Sequence, residues 1–451
     1  SQMKKPMLGV IADDYTGATD IASMLVRGGM ETVQTIGTPS HSLGEALKAD
    51  AVVIALKSRS LAASEAVAQS LEALERLQTL GVEQIYFKYC STFDSTPKGN
   101  IGPVSDALCA ALGVKTIAHI PALPINGRSV YQGHLFVGTQ LLHQSGMEHH
   151  PLNPMTDANL VRWLGQQTPH EVHLVGNDLL QLGARAITKE IDRIDAGGGG
   201  HIIGDTVCDS DLPLWASVLQ NSPLVAGGSG LATPLAQLHM AGINGTKATP
   251  RQQHTAQTHP QPTELAPPAL DSHAETSHAL ILSGSCSKAT LGQIEAFKAR
   301  GGHCLHLDPL TLSKDPNHLT TVLAAAVDAL KAAPVLIYAS GTPQQVQATQ
   351  ASLGVEAAGA LVEAAFATLA KGAATQPQTR QLIVAGGETS GAVVSALGVA
   401  ALQIGPEIAP GVPWTRALGA DGERLLPLAL KSGNFGGPDF FNAALHMETQ
   451  I

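Results

Sequence analysis

The sequence predicts an α/β protein made of two α/β domains with mainly parallel sheets, joined by a Pro/Gln/Thr-rich linker. Three observations predict this class. Short, continuously apolar runs alternate with longer amphipathic stretches, as in parallel strands covered by helices on both faces. At 451 residues the chain is longer than one ordinary core accommodates. Residues 246–277 form a long stretch without hydrophobic periodicity, rich in Pro, Gln, Thr and His, which predicts the linker.

The first predicted domain, residues 1–245, contains seven apolar runs of strand length. These predicted strands are MLGVIA, AVVIAL, QIYF, KTIAHI, EVHLVG, HIIGDT and PLVAGG. Amphipathic stretches between them predict helices, notably GATDIASMLVRGG, SEAVAQSLEALERLQTLG and GPVSDALCAALGV.

The second predicted domain, residues 278–451, resumes the same alternation after the linker. Its predicted strands are ALILSGS, HCLHLD, PVLIYASG and QLIVAGG, and HLTTVLAAAVDALKAA is a predicted helix between two of them.

Composition narrows the class of function. The formal net charge of -10 and the lack of a Lys/Arg cluster argue against a nucleic-acid partner. No apolar run approaches the roughly 20 residues that span a bilayer, so no membrane partner is expected. The five cysteines stand singly and no secretory leader is recognised, which predicts a cytoplasmic protein. The 18 histidines show no metal-ligand spacing, and metal ligands therefore stay unassigned.

The ends of the first domain's predicted strands carry charged side chains, and ligands of open α/β sheets bind beyond such ends. The first strand ends in Asp13 and Asp14. The ends of later predicted strands supply four cations: Lys57, Arg59, Lys88 and Arg128. The segment after QIYF also carries an acidic and a hydroxyl side chain, Asp94 and Ser95. Any one of these could be a solvated loop charge, but four cations in succession favour a small, anionic, polyhydroxylated ligand.

The second domain has Gly- and Ser-rich turns between strands and helices. They occur in SGSCSKAT, in GGETSG and in the loop within ALKSGNFGGPDFF, which spans 429–441. Glycine lets the backbone approach a phosphate, and helix N-terminal N–H groups bind anions. The spacing of a Walker A loop is absent. The three turns together predict a nucleotide phosphate site.

Five motifs make the chain resemble the four-carbon acid sugar kinase family. They are ADDYTGATDIA, YFKYCSTFDSTPKGNIGP, LILSGSCSKATLGQI, VAGGETSGAV and LKSGNFGGPDFF, and together with the intervening sequence they cover nearly the whole chain outside the linker. The form YCSTFDSTPKGNIGP is most similar to the 3-oxo-tetronate kinase branch, whereas threonate and erythronate kinases tend toward KKIDSTLRGN.

The resemblance implies transfer of the γ-phosphoryl group of ATP, with Mg²⁺, to the C4 hydroxyl of a 3-oxo-tetronate. It implies an acid-sugar site in the first domain and an ATP site in the second. The implied ATP residues are Ser285 or Ser287, then Gly386, Gly387, Glu388, Thr389 and Gly433. A homodimer is the possible assembly.

For the acid-sugar site we expect Asp14, or else Asp13, to accept the hydroxyl proton, or one of the two to help hold Mg²⁺. Lys88 should stabilise the phosphoryl group. Adjacent side chains on an extended segment point opposite ways, so only one carboxylate should face the substrate, and the other should cap the next helix. Thr16 competes for that cap. Lys57, Arg59 and Arg128 should hold the substrate carboxylate, with Asp94 and Ser95 completing the site.

Two other functions are consistent with parts of the sequence, and a third is not. A D-threonate or D-erythronate 4-kinase is the nearest alternative, and a non-catalytic sugar-acid-binding sensor is an alternative from another class. A dinucleotide-dependent oxidoreductase is disfavoured, because no G-x-G-x-x-G follows a predicted strand.

Overall fold

A computed structural model describes residues 4–150, 152–243 and 278–447. The chain divides into two compact units, Ser1–Arg251 and Gln252–Ile451. The predicted linker, 246–277, lies outside the described residues, so the predicted domain boundaries stay a prediction.

The first unit is organised around an eight-stranded parallel sheet with the order β2-β3-β1-β4-β11-β5-β10-β9, beside a small antiparallel sheet of β6, β7 and β8. Its strands are β1 (Leu8–Ala12), β2 (Thr32–Ile36), β3 (Ala51–Ala55), β4 (Gln84–Lys88), β5 (Thr116–Ile120), β6 (Arg128–Tyr131), β7 (His134–Val137), β8 (Gln140–Leu141), β9 (Val172–Val175), β10 (Gly200–Gly204) and β11 (Leu224–Gly227). Strands β1, β3, β4, β10 and β11 are buried along their whole length, which explains their continuous apolar sequences.

Helices connect the parallel strands of the first unit. They are α1 (Tyr15–Arg27), α2 (His41–Ala46), α3 (Ala63–Thr79), α4 (Ile101–Leu112), α5 (Leu160–Gly165), α6 (Asn177–Leu182), α7 (Ala184–Ala196), α8 (Asp211–Leu219) and α9 (Ala232–Ile243). The seven predicted strands and three predicted helices are all present. Strand β2 was missed because three of the five residues in its sequence, TVQTI, are polar, although four of the five are buried.

The second unit has its own seven-stranded sheet with the order β13-β14-β12-β15-β18-β17-β16. Its strands are β12 (Ala279–Ser283), β13 (His303–His306), β14 (Val335–Tyr338), β15 (Gln381–Ala385), β16 (Ala401–Ala409), β17 (Val412–Leu418) and β18 (Arg424–Lys431). The pairs β16–β17 and β17–β18 are antiparallel, and the other pairs of this sheet are parallel. The expectation of two α/β domains with mainly parallel sheets is confirmed.

The helices of the second unit are α10 (Lys288–Ala299), α11 (Pro309–Lys314), α12 (His318–Ala329), α13 (Pro343–Leu353), α14 (Val355–Leu369), α15 (Gly387–Ala396) and α16 (Phe440–His446). Within the described ranges, one helical stretch, Val355–Ala374, is long and apolar enough to cross a membrane by length and composition. This is weak support for a membrane span, because Phe366 and Leu369 of that stretch are fully buried in the unit.

The three antiparallel strands were not predicted from the sequence. Each contains a proline, at Pro406, Pro413 and Pro427, and proline normally argues against a strand because it lacks the N–H that pairs with a neighbour. The register of β16 and β17 shifts between Ile404 and Glu407, so Pro406 is accommodated at an irregularity.

Strand register shows that the predicted site residues follow strands whose carboxyl ends lie side by side. In the first unit, Ala12 pairs with Ala55 on one side and with Lys88 on the other. In the second unit, Ser283 pairs with Ala385, which in turn pairs with Lys431. The carboxyl ends of β1, β3 and β4 therefore meet, and so do those of β12, β15 and β18.

Candidate functional sites

Arg59 joins the two acidic residues that follow β1. Its Nε lies 3.0 Å from Oδ2 of Asp13 and its Nη2 lies 2.8 Å from Oδ1, a bidentate pair. The same Nη2 is 3.2 Å from Oδ1 of Asp14. Burial raises the pKa of the Asp13 carboxyl, while the charge of Arg59 lowers it. The expectation that the two carboxylates point in opposite directions is wrong, because both contact one guanidinium.

Asp14 is the N-cap of α1. Its Oδ1 accepts from the backbone N–H of Gly17 at 2.8 Å, and its Oδ2 accepts from the hydroxyl of Thr16 at 2.9 Å. The cap that sequence reasoning left open between an aspartate and Thr16 thus belongs to Asp14. The Asp14 side chain is 29% exposed and that of Asp13 is 8% exposed, so Asp14 is the more accessible carboxylate.

Lys88 is buried at the end of β4, and its ammonium donates to the backbone carbonyl of Tyr89. Among the residues described, no carboxylate oxygen lies within ion-pair distance of it. A Cβ added at Gly17 would lie 3.1 Å from Lys88 Nζ and 2.5 Å from Asp14 Oδ1. Gly17 therefore lets the first turn of α1 approach both groups. The sequence reading missed this role, although a glycine three residues after a strand-end aspartate was a usable signal.

The remaining predicted acid-sugar residues lie in different environments. Lys57 is exposed, with Nζ 4.7 Å from the centre of the Tyr15 ring. Arg128 begins β6, and its Nε is buried without a hydrogen-bond partner. Asp94 is buried and accepts from the Thr92 hydroxyl at 2.6 Å.

Ser95 is a correction to the predicted site. Its hydroxyl donates to the carbonyl of Phe93 at 2.9 Å. It accepts from Trp163 Nε1 at 3.1 Å and from Gln167 Nε2 at 2.9 Å. A hydroxyl offers one donor and two acceptor positions, so none is left for a substrate. Ser95 instead joins its loop to the region of α5.

The loop that carries Arg59 is held by Asn100. The Nδ2 of Asn100 lies within 2.9–3.1 Å of the carbonyl oxygens of Ser58, Arg59 and Leu61. The nitrogen of this amide is engaged by the protein's own loop. Asn100 therefore positions the guanidinium that binds both aspartates.

A cavity of about 920 Å³ in the second unit brings together the predicted nucleotide residues. Its lining includes Ser285, Gly386, Gly387, Glu388, Thr389 and Gly433. Ser287 is not part of the lining. It caps α10, accepting from the N–H of Thr290 at 3.2 Å, and its Oγ lies 2.6 Å from the carbonyl oxygen of Gly433. Of the two serines left open by the sequence, Ser285 is the one at the cavity.

Two glycines make the close approach of these loops possible. Gly386 has a φ of +117°, which side-chain-bearing residues rarely adopt, and its N–H donates to the carbonyl of Lys431 at 2.8 Å. A Cβ at Gly433 would lie 2.5 Å from Ser285 Oγ. The helix α15 begins at Gly387, so its free N–H groups lie at the cavity, where they suit an anion.

The rest of the cavity lining mixes apolar, polar and acidic side chains. Helices α11, α13 and α14 contribute side chains of the size and polarity that suit a purine: Pro309, Leu310, Val346, Val355, Ala358 and Val362. These positions were missed by the sequence reading, because their helices show no motif and only the fold brings them to one cavity.

Comparison with known proteins assigns the two units to two different domain families. Residues 8–235 match the family of the sugar-binding N-terminal domain, and residues 280–441 match that of the nucleotide-binding C-terminal domain. A Cupriavidus necator protein named 3-oxo-tetronate kinase is 50% identical over 98% of this chain and 97% of its own length. A Pseudomonas fluorescens protein of the same name is 48% identical, with the same coverage.

Solved structures show the same fold. A Haemophilus influenzae protein superposes with a TM-score of 0.82 at 40% identity, covering 97% of this chain and 99% of its own. A Salmonella typhimurium protein gives the same score and identity, covering 97% and 98%.

Proposed function

This chain belongs to the family that pairs a sugar-binding N-terminal domain with a nucleotide-binding C-terminal domain, and on that premise we propose that it is an ATP-dependent 3-oxo-tetronate kinase. The observation that carries the proposal is the full-length similarity to proteins named for that activity, at 50% and 48% identity. The resemblance to the four-carbon acid sugar kinase family is thereby confirmed.

In the proposed reaction the C4 hydroxyl of 3-oxo-tetronate attacks the γ-phosphorus of ATP, and the products are 3-oxo-tetronate 4-phosphate and ADP. The hydroxyl proton must leave as the new bond forms. The chemistry needs alignment, charge neutralisation and a group that accepts this proton.

Asp14 is the proposed proton acceptor, because its carboxylate is the more exposed of the pair. The helix cap and the base, expected on different aspartates, then fall on the same residue. Asp13 then acts through Arg59, whose guanidinium it holds in place beside Asp14. This arrangement replaces the expectation that Arg59 binds the substrate carboxylate. That task falls to Lys57 and Arg128, and Asp94 is proposed to contact the sugar hydroxyls.

Lys88 is the proposed cation for the transferring phosphoryl group. Its ammonium is buried, donates to a neutral carbonyl and lies beside the first turn of α1, near Asp14. A positive charge without a carboxylate partner stabilises an incoming anion more effectively than one already paired.

The nucleotide is proposed to bind in the cavity of the second unit, with its phosphates at the Gly386 and Gly433 loops and its base against α11, α13 and α14. Mg²⁺ commonly binds through one or two carboxylates together with nucleotide phosphates. Glu388, exposed in the lining of the cavity, provides such a carboxylate beside the phosphate loops and would hold the ion. When bound, Mg²⁺ neutralises phosphate charge. The cytoplasmic location and the homodimer stay predictions.

A substrate panel tests this function. The purified chain is assayed for ADP formation with 3-oxo-tetronates, D-threonate, L-threonate and D-erythronate. We expect kcat/KM to be highest for a 3-oxo-tetronate. A clear preference for a threonate or erythronate would reassign the substrate, and binding of acid sugars with no ADP formation would instead favour a sensor.

A further inference from the structure

Lys431, the last residue of β18, is a fully buried lysine with no acidic partner. Its Nζ donates to Thr290 Oγ1 at 3.0 Å and to the carbonyl oxygens of Ser432 and Gly433 at 3.1 and 3.0 Å. Throughout the described ranges no carboxylate lies within ion-pair distance of this ammonium. A buried charge is costly unless a charge of opposite sign compensates it. The position of Lys431 therefore calls for an anion supplied from outside the chain.

The ammonium lies directly behind a loop of the nucleotide cavity. Three donors converge on the Gly433 carbonyl oxygen: Lys431 Nζ, Thr290 Oγ1 at 2.9 Å and Ser287 Oγ at 2.6 Å. Gly433 itself lines the cavity beside Ser285. Lys431 thus engages the carbonyl groups of the loop, whose negative ends would otherwise repel phosphate oxygens.

The acidic residues that line the cavity increase the need for a positive charge close to it. Four acidic residues line the cavity, and no Lys or Arg is found among its described lining residues: the acidic ones are Asp308, Glu356, Glu363 and Glu388. Lys288 follows Ser287 but is exposed and does not line the cavity. Apart from the Mg²⁺ proposed at Glu388, backbone N–H groups of the lining would be the protein's only counterweight to these carboxylates among the described lining residues.

We infer that Lys431 is a positioning residue that supplies the nucleotide phosphates with positive charge from beneath the Gly433 loop, without touching them. The inference rests on the proposed function, because it takes the ligand of this cavity to be a nucleotide. It predicts that the contribution of Lys431 grows with the number of phosphate groups on the ligand.

Titration of Lys431 gives this role a characteristic pH dependence. Burial lowers its pKa to about 8, so the charge is present at neutral pH and is lost above pH 8. Nucleotide affinity should therefore fall as pH rises through 8. Folding stability should change in the opposite direction, because between pH 8 and the ordinary lysine value of about 10.4 the unfolded chain binds more protons than the folded one.

The pH dependence caused by Lys431 must be distinguished from that of other charged groups on the surrounding elements. They are Lys288, Glu295 and Lys298 on α10, Glu388 on α15, Arg416 on β17, His446 on α16, and the pair between Arg300 and Asp439, which lie just after α10 and just before α16. Cys286 also lines the cavity and places a thiol there. The pH experiment is therefore done on the Cys286→Ser variant.

The first test compares ATP, ADP and AMP binding to the full chain carrying Lys431→Met, by calorimetry. Lys331→Met is the control, since Lys331 is an exposed lysine whose Nζ lies 3.7 Å from Asp328. We expect the Kd of ATP to rise about tenfold or more in Lys431→Met, and that of AMP to rise less. An equal loss for all three nucleotides, or no loss, would overturn the inference. A wild-type chain that binds no ATP would instead contradict the proposed function.

The second test keeps Lys431 in place and covers the case in which Lys431→Met does not fold. In Cys286→Ser, the Kd of ATP should rise roughly tenfold between pH 7.5 and pH 9, and the Kd of AMP should rise less. A Kd for ATP that stays constant across this range would overturn the inference.

Discussion

Asp13 and Asp14 are adjacent and chemically alike, yet their surroundings give their carboxylates different access to a substrate. Both oxygens of Asp13 accept from Arg59, and its side chain is 8% exposed. Asp14 also contacts Arg59 but caps α1 and is 29% exposed. A general base must reach the hydroxyl whose proton it takes, so access favours Asp14.

Asp14→Asn should lower kcat by about 10²–10⁴-fold, because the amide cannot accept the proton. Asparagine caps helices as well as aspartate does, so the melting temperature should change little. Steady-state kinetics with thermal unfolding checks both points. Thr16→Val, which removes only the hydroxyl that donates to Asp14, serves as the control and should retain most activity. A kcat near that of the wild type in Asp14→Asn would show that another group is the base.

Arg59→Met should lower the free energy of unfolding by about 3–5 kcal/mol, because it leaves the Asp13 carboxylate buried without a partner. The double variant Asp13→Asn/Arg59→Met should recover part of this loss, as measured by urea unfolding. Arg193→Met removes an exposed pair with Glu190 and should have little effect. If Arg59→Met were as harmless as Arg193→Met, the buried pair would not hold the site together.

At the scale of elements, the loops after β12, β15 and β18 act as one structure. The N–H of Gly386 donates to the carbonyl of Lys431, the N–H of Gly284 donates to the carbonyl of Ala385, and three donors meet at the carbonyl of Gly433. A change in one loop should therefore disturb the other two.

Gly433→Ala should raise the KM for ATP at least several-fold, because its Cβ would lie 2.5 Å from Ser285 Oγ and separate the two loops. Gly437→Ala is the matched control in the same segment, since a Cβ there meets no atom within 4 Å. The double variant Gly433→Ala/Ser285→Ala should relieve part of the collision. Equal KM values in Gly433→Ala and Gly437→Ala would contradict the described packing of the loops.

A buried hydrogen-bonded chain connects β4, β5, β10 and α4 in the first unit. The Tyr89 hydroxyl lies 2.7 Å from His119 Nδ1, His119 Nε2 lies 2.9 Å from His201 Nδ1, and His201 Nε2 lies 2.7 Å from Asp106 Oδ1. Burial lowers the pKa of His119 well below 6.5, and the neighbouring His201 adds to this effect. The chain is therefore built around a neutral His119.

Stability should consequently fall as pH drops below 6.5. The unfolded chain takes up a proton at His119 near its ordinary pKa, whereas the folded chain does so only at much lower pH, which costs about 1.4 kcal/mol per pH unit for one group. Urea unfolding at pH 7.5 and pH 5.5 measures this slope. His119→Leu should be less stable but have a smaller slope, and His149→Gln, at an exposed position, should keep the wild-type slope. An unchanged slope in His119→Leu would contradict this assignment.

At the scale of the whole molecule, each unit carries a candidate site at the carboxyl ends of its parallel strands, and these positions could be predicted from the sequence. Continuous apolar runs indicated buried parallel strands, and the residues after them led to Asp13, Lys88 and Gly386. The position of Ser95 could not be predicted in this way, because its partners, Trp163 and Gln167, lie about 70 residues further along the chain.

Prediction from the sequence is limited in the same way for residues whose role depends on their burial. Lys431 stands just before a predicted glycine-rich loop, and only its burial in the structure distinguishes it from a solvated lysine. The strand β17 was missed because Pro413 argued against it, whereas its Trp414 is fully buried in the core of the second unit.

The central claim is that the chain transfers the γ-phosphoryl group of ATP to the C4 hydroxyl of 3-oxo-tetronate. Phosphorus NMR of the reaction mixture with the purified chain tests it most directly. The expected result is ADP and one new phosphomonoester whose phosphorus couples to the two C4 protons. Release of inorganic phosphate alone, no change in ATP, or coupling to a proton on another carbon would contradict it.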